Sequence, residues 1–335
     1  MKRDDIDNGI QDEEKILNIS LRPDKLGDFV GQKRVREGLN IGVKAALKRG
    51  EPIDHILLSG PQGLGKTTLA HIVAHEMGSN IITTSGPSID RAGDLVGILT
   101  NLSEGDVFFI DEIHRLSKTV EEFLYSAMEN FKIDFIIDKG PYARTIKFHL
   151  KSFTLIGATT RSGLLSAPLR ARFGIYHHLD FYQPNELSSI IGRSAGLLDI
   201  PIDNESSLMI AKCSRGTPRI ANRILRRVRD YAQVKSDGCI TPSIVSIALE
   251  KEGIDELGLS HIDRRVLFTI IEQYKGGPVG IDALVAALNE EPDTIIDVVE
   301  PYLLKAGFLK RTRKGREATE LACKHLKSNK DRALF

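Results

Sequence analysis

Cysteine is scarce in this chain of 335 residues: Cys213, Cys239 and Cys323 stand far apart, with no C-x-x-C pair. That argues against a disulfide framework or a clustered zinc site and makes a reducing cytoplasm the natural compartment. Long apolar runs are missing too. Nothing approaches the ~18 residues that a membrane-crossing helix needs, and the opening residues lack a secretory-signal pattern. Neither sign of charge prevails, because the net charge is +1. Internal repeats and low-complexity segments are also absent. What is present, 41% hydrophobic and 27% charged residues, is ordinary for a globular protein long enough for two or three cores.

Charge is nevertheless unevenly placed. The first fifteen residues hold six acids, three bases and few large apolar groups, which reads as a disordered leader over 1–20. Between Lys305 and Arg316 lie six basic residues and no acid. Such a stretch is either a solvated surface or a contact for DNA.

Pattern divides the remainder in three. Over 21–182, short β-rich runs (His55–Ser59, Asn80–Thr84, Val107–Asp111, Phe153–Ala158, Ile175–Asp180) alternate with helical stretches, predicting an α/β domain with a parallel five-stranded sheet. Over 183–254 the pattern is helical, with elements predicted at Pro184–Leu197, Asn204–Cys213, Thr217–Val234 and Pro242–Lys251. Over 255–335, helices are predicted at Ser260–Tyr274, Gly280–Leu288 and Pro292–Ala306. A glycine-containing basic turn follows, the outline of a winged-helix module.

The strongest local signal is Gly60-Pro61-Gln62-Gly63-Leu64-Gly65-Lys66-Thr67-Thr68, between an apolar strand and a helical pattern. This is the G-x-x-x-x-G-K-[ST] phosphate loop in its strand-loop-helix setting. Glycines let backbone N–H groups turn toward phosphates, and the helix N-terminus adds the positive end of its dipole. Lys66 supplies charge to the β- and γ-phosphates, and the Thr67 hydroxyl can ligate Mg²⁺. The second half is Val107–Asp111, whose Asp111 comes 44 residues after Thr67, followed by Glu112. Paired carboxylates at the end of a buried strand fit a cation held by Asp111 and a water polarised by Glu112. ATP hydrolysis is implied as well as binding. His114 reads as a structural or coupling residue.

Further strings carry a resemblance. Leu21-Arg22-Pro23, Phe29-Val30-Gly31-Gln32, Gly157-Ala158-Thr159-Thr160-Arg161, Pro168-Leu169-Arg170-Ala171-Arg172-Phe173-Gly174 and Gly216-Thr217-Pro218-Arg219-Ile220-Ala221-Asn222-Arg223 resemble successive signatures of the RuvB family. These are AAA+ ATPases that drive branch migration of Holliday junctions. The resemblance implies a helical lid after the ATPase domain and a homohexameric ring around duplex DNA, with four-way junction DNA as its partner. It also implies a RuvA-type junction-binding partner and a RuvC-type resolvase. Thr160 resembles the sensor of the γ-phosphate, Arg172 the arginine finger given to a neighbouring subunit, and Arg219 the second sensor. Gly63, Leu64, Gly65 and Thr68 belong to the nucleotide loop. Leu21, Arg22 and Tyr182 resemble residues on the adenine side, and Glu129, Asn130 and Phe131 a nucleotide-proximal segment. Arg311 and Arg316 fall where the family's DNA-contacting arginines sit.

Plainer roles stand beside these: a local carboxylate partner for Arg172, a solvated basic face for Arg219, hinge packing for Tyr182. Ile133–Leu150 reads as a hairpin around Asp138-Lys139-Gly140-Pro141, serving either the RuvA-type partner or ordinary strand packing. Gln62 departs from the family's usual proline, leaving the cradle in place. A clamp-loader-type ATPase would share the core but carry a collar in place of the winged helix; an initiator-type ATPase would keep a DNA module without translocating.

Overall fold

The computed structural model describes residues 21–137 and 144–328. The acidic leader and the hairpin turn at Asp138-Lys139-Gly140-Pro141 lie outside the described residues. The chain divides into two compact units, Met1–Gly60 with Gly65–Asp180, and Pro61–Leu64 with Phe181–Phe335.

In the first unit the strands are β1 (Ile56–Ser59), β2 (Ile81–Ser85), β3 (Val107–Asp111), β4 (Lys132–Ile137), β5 (Arg144–His149), β6 (Thr154–Thr159) and β7 (Ile175–His178). Five of them pair in parallel in the order β2-β3-β6-β1-β7. Every residue of β1 and β6, and the first four of β3, are buried, as continuous apolar runs in a doubly covered parallel sheet must be. The strands β4 and β5 form the separate antiparallel hairpin, with Ile133 opposite Phe148 and Phe135 opposite Ile146.

Helices α1 (Lys33–Arg49), α2 (Lys66–Met77), α3 (Ala92–Thr100), α4 (Lys118–Asn130) and α5 (Ala167–Ala171) belong to this unit. Val35, Leu39, Val43 and Ala46 give α1 one buried stripe at helical spacing. Phe108 and Ile110 of β3, Leu155 of β6, Leu95 and Leu99 of α3 and Leu124 of α4 share one core.

The second unit opens with α6 (Pro184–Leu197), α7 (Asn204–Cys213), α8 (Pro218–Lys235) and α9 (Pro242–Lys251). Proline opens α6, α8 and α9, where its missing N–H has no helical partner to lose. Next come α10 (His261–Phe268), α11 (Ile281–Leu288), α12 (Glu300–Lys305), an antiparallel pair β8 (Leu309–Thr312) and β9 (Gly315–Ala318), and α13 (Glu320–Ser328). Val279 bridges Arg316 and adds a third line to this pair. Val266, Leu284, Leu303 and Phe308 form its own core. This is the winged-helix outline.

Two helices differ from expectation. The run predicted over Ser260–Tyr274 changes to a π-helical turn at Thr269–Gln273, and that over Pro292–Ala306 is π-helical at Thr294–Val299 before α12 begins. Pro301 explains the second. It removes an N–H inside the run and its ring crowds the carbonyl four residues back, so the ladder shifts to the wider Glu300 N–H to Ile295 C=O bond.

Candidate functional site

β1, β6 and β3 are neighbours, and the segments singled out by sequence follow their carboxyl ends, where ligands of open α/β sheets bind. After β1, Gly60 has φ 134°, and a Cβ there would stand 2.3 Å from the Leu179 carbonyl oxygen. Only glycine fits. Its N–H donates to the Thr159 carbonyl at 3.1 Å, which ties the start of the loop to the end of β6. Gly65, with φ 101°, caps α2. Lys66 follows, 8% exposed, and its ammonium donates to the Gly60 carbonyl at 2.7 Å. Thr67 and Thr68 are half-buried in the first turn of α2, whose N–H groups lack helical partners.

At the end of β3, Asp111 Oδ1 accepts the N–H of Glu112 at 2.9 Å, which fixes the carboxylate against the chain. Glu112 is left-handed, with φ 49° and ψ 42°. Such a backbone is costly for a residue with a Cβ and concentrates at functional positions. The turn brings the Glu112 carbonyl so close to Gly86 that a Cβ on Gly86 would meet it at 2.4 Å. Arg115 Nε stands 3.5 Å from the Glu112 carboxylate, a half-exposed pair of little energetic weight.

Thr159 ends β6 and is buried. Its hydroxyl lies 2.9 Å from His114 Nδ1 and accepts the Arg161 N–H at 3.0 Å. Thr160, half-buried, comes next. Arg172 closes α5. Its Nη2 is 3.0 Å from Glu129, its Nη1 donates to the Pro168 carbonyl at 2.8 Å, and its guanidinium lies 4.5 Å over the Tyr125 ring. Within this chain, then, Arg172 does have a local carboxylate partner. Asn130 is exposed, and Phe131 ends α4 in a left-handed turn with its ring edge-on to Phe153 at 5.7 Å. Leu21 is buried. Arg22 is close enough to His71 that its charge, after burial, lowers the imidazole pKa.

In the second unit the Tyr182 hydroxyl donates to the Leu64 carbonyl at 3.1 Å, and its N–H to Gly216 at 2.9 Å. The Arg219 N–H lies 3.4 Å from the Gly63 carbonyl, and a Cβ on Gly63 would stand 3.0 Å from that of Arg219. Gly63, Leu64, Tyr182 and Arg219 are thus brought together. Arg219, Arg223 and Arg227 are exposed along α8, whereas Arg226 is buried.

The two wing arginines have different surroundings. Arg311 is exposed, its Nη1 4.0 Å from Glu300. Arg316 is buried, its Nε 2.5 Å from the same, also buried, carboxylate.

Among the described residues no group of three or more His, Cys, Asp or Glu could hold a metal. Thr67 and Asp111 offer two hard oxygen donors, a set that fits Mg²⁺, which keeps waters and takes further oxygens from phosphates.

Residues 21–179 match the family described as the Holliday junction DNA helicase RuvB P-loop domain. Residues 182–255 match the RuvB AAA lid domain, and 256–327 the RuvB C-terminal winged helix domain. The chain belongs to the RuvB family. It is accordingly an AAA+ P-loop ATPase and helicase. The Holliday junction branch migration complex subunit RuvB of Desulfosudis oleivorans is 56% identical over 307 residues, covering 92% of this chain and 90% of that protein. The solved Thermotoga maritima RuvB Holliday junction branch migration motor is 54% identical, with a TM-score of 0.85 over 92% of this chain and 98% of that one. A point mutant of the same RuvB gives a TM-score of 0.86 at 54% identity, with the same coverage.

Sequence reasoning missed Gly86, whose φ is ordinary and whose need for a bare Cα arises only from the fold. It also passed over Tyr125, which stacks under Arg172, and Glu300, which pairs with Arg316. An aromatic one helical turn before Glu129 was the available hint for Tyr125.

Proposed function

We propose that this protein is an ATP-driven motor that moves four-way DNA junctions, working as a homohexamer around duplex DNA with a RuvA-type junction-binding partner and ahead of a RuvC-type resolvase, in the cytoplasm. One observation carries the reading: Lys66, Asp111, Glu112 and Thr160 follow neighbouring strand ends, in a chain whose last domain is a RuvB winged helix.

In this mechanism the N–H groups of the loop and the Lys66 ammonium bind the triphosphate. Thr67 and Asp111 would hold Mg²⁺, which when bound would supply positive charge to offset the charge developing on the phosphates. Glu112 orients the attacking water and draws its proton, and Thr160 fixes that water by a hydrogen bond. Arg172, donated to the neighbouring protomer, leaves Glu129 to stabilise the transferring phosphoryl; the forked guanidinium suits that task. Arg219 reads the nucleotide from the lid, while Leu21, Arg22 and Tyr182 close the adenine side. On the wing Arg311 contacts DNA phosphate, and Arg316 serves the same surface by bracing it through Glu300. Phosphate contacts position without reading sequence, as a motor that must travel on any DNA requires.

The test is unwinding of a synthetic four-way junction with RuvA present, compared with linear duplex. ATP-dependent junction migration is expected. Hydrolysis without any migration would overturn the motor reading and leave an ATP-gated DNA-binding protein.

A further inference from the structure

Arg215 lies in the turn between α7 and α8, four residues before Arg219. It is left-handed, with φ 54°. Although it belongs to the lid, its side chain is spent on the winged-helix domain. Nη2 lies 3.1 Å from Asp263 Oδ1 and donates to the Val298 carbonyl at 3.0 Å, and the guanidinium carbon is 5.0 Å from the Tyr302 ring centre. Asp263 is fully buried, and its other oxygen accepts the N–H and hydroxyl of Ser260 at 2.8 and 2.6 Å. Tyr302 in turn donates to the Leu257 carbonyl at 2.6 Å.

The same turn is gripped from its other side. Gly216 accepts the Tyr182 N–H, and a Cβ on it would meet Phe181 at 2.9 Å. One peptide further along is Thr217, the N-cap of the helix whose second residue bonds to Gly63 of the phosphate loop. In the other direction, Val298 stands two residues before Glu300, the carboxylate that binds Arg316 and approaches Arg311 on the wing. Named hydrogen bonds, ion pairs and short covalent steps therefore run from Gly63 to the wing through one side chain. A cleft of about 240 Å³ is lined by Gly63, Arg219, Arg223, Asp297 and Tyr302, together with Arg215 itself.

Stability alone accounts poorly for this arrangement. An apolar pair of similar volume is commonly as stable as a buried ion pair, or more so. Here Arg215 also has a left-handed backbone and a buried Nε without a hydrogen-bond partner among the described residues. What an ion pair adds over grease is a single fixed geometry.

We propose that Arg215 is a positioning residue that couples the nucleotide-reading start of α8 to the winged-helix domain, so that a shift of the lid turn is delivered to the DNA-binding wing. The proposal rests on the motor reading above. The test measures the coupling directly.

In the full-length protein, Arg215→Met, Asp263→Leu and the double variant are compared with native. The measurements are thermal unfolding, ATP turnover, duplex affinity and junctions migrated per ATP with RuvA. Amide exchange across Gly315–Ala318 is followed with ADP and with a non-hydrolysable ATP analogue. The double apolar variant restores burial if either single change destabilises the fold. Expected in it are native turnover and duplex affinity, a fall of about tenfold in migration per ATP, and loss of the nucleotide-dependent exchange change on the wing. Native migration per ATP in the folded double variant would overturn the proposal. So would a loss of turnover, affinity and migration in step with stability, because that is a purely structural role. The exchange measurement needs no junction, so a native protein whose wing responds to nucleotide but migrates nothing refutes the motor reading and leaves the coupling standing.

Discussion

The Thr159 hydroxyl lies 2.9 Å from Nδ1 of His114, which joins the residue before Thr160 to the segment just after Glu112. The two catalytic candidates are thereby spaced by a contact between their neighbours. Removing it with His114→Ala or Thr159→Val is expected to lower turnover about ten- to hundredfold while ATP affinity holds, because the water is misplaced and the phosphates are not. The double variant should be little worse than either single one. Steady-state kinetics give the split; a loss expressed in KM alone would refute the spacing role.

Glu112→Gln keeps the size and left-handed backbone of the residue but removes the base. Nucleotide binding should persist and single-turnover hydrolysis fall by about 10²–10⁴. Lys66→Ala should instead abolish binding as well. A fluorescent ATP analogue distinguishes the two, and a Glu112→Gln protein that hydrolyses ATP normally would remove the carboxylate from the mechanism.

Arg316 and Arg311 should separate under substitution. Arg316→Ala leaves Glu300 buried without its close partner and is expected to cost about 3–5 kcal/mol in chemical denaturation. Arg311→Ala, at an exposed position, should change stability by less than about 0.5 kcal/mol yet weaken duplex binding measured by fluorescence anisotropy. Equal destabilisation by the two changes would contradict the ion-pair geometry.

His55 supplies a pH dependence. Its Nδ1 accepts the Leu155 N–H at 2.9 Å, so the proton sits on Nε2 and donates to the Met128 carbonyl at 3.1 Å. Burial, the largest influence, lowers its pKa below 6.5 against the opposing effects of Met128 and Asp54. The unfolded chain therefore takes up a proton first as pH falls. Stability from this residue is complete above 6.5 and is lost as pH drops from there through the folded value. Thermal unfolding between pH 7.5 and 5.5 should show the native protein losing more than His55→Gln. Parallel curves would exclude it.

The fold was largely legible because its signals are local. Apolar runs of four to six letters bounded by Gly60, Asp111 and Thr160 are strands, and prolines 184, 218 and 242 mark helix starts within a residue. The π-helical turns were not legible, since a shifted hydrogen-bond ladder leaves the apolar spacing almost unchanged; Pro301 alone gave a hint. At the site, the loop around Lys66 and the pair Asp111-Glu112 declare themselves through residue types tied to phosphate and metal chemistry. The partners of Arg172, Arg215 and Arg316 do not. Glu129 stands out only through the family resemblance and not as a partner of Arg172. Asp263 and Glu300 are ordinary acids in sequence, and 43, 48 and 16 residues separate the three from the arginines they hold.

The burial of Arg316 bears on how strongly salt should oppose DNA binding. A guanidinium already neutralised by Glu300 has no condensed ions to displace from the duplex, so it adds nothing to the entropy released when phosphates are covered. Of the six basic letters between Lys305 and Arg316, at most five can take part in that exchange. At about 0.9 logarithmic units per phosphate neutralised, one wing has a ceiling of roughly four to five in its log–log slope. A steeper measured slope must draw on other subunits or other faces of the protein.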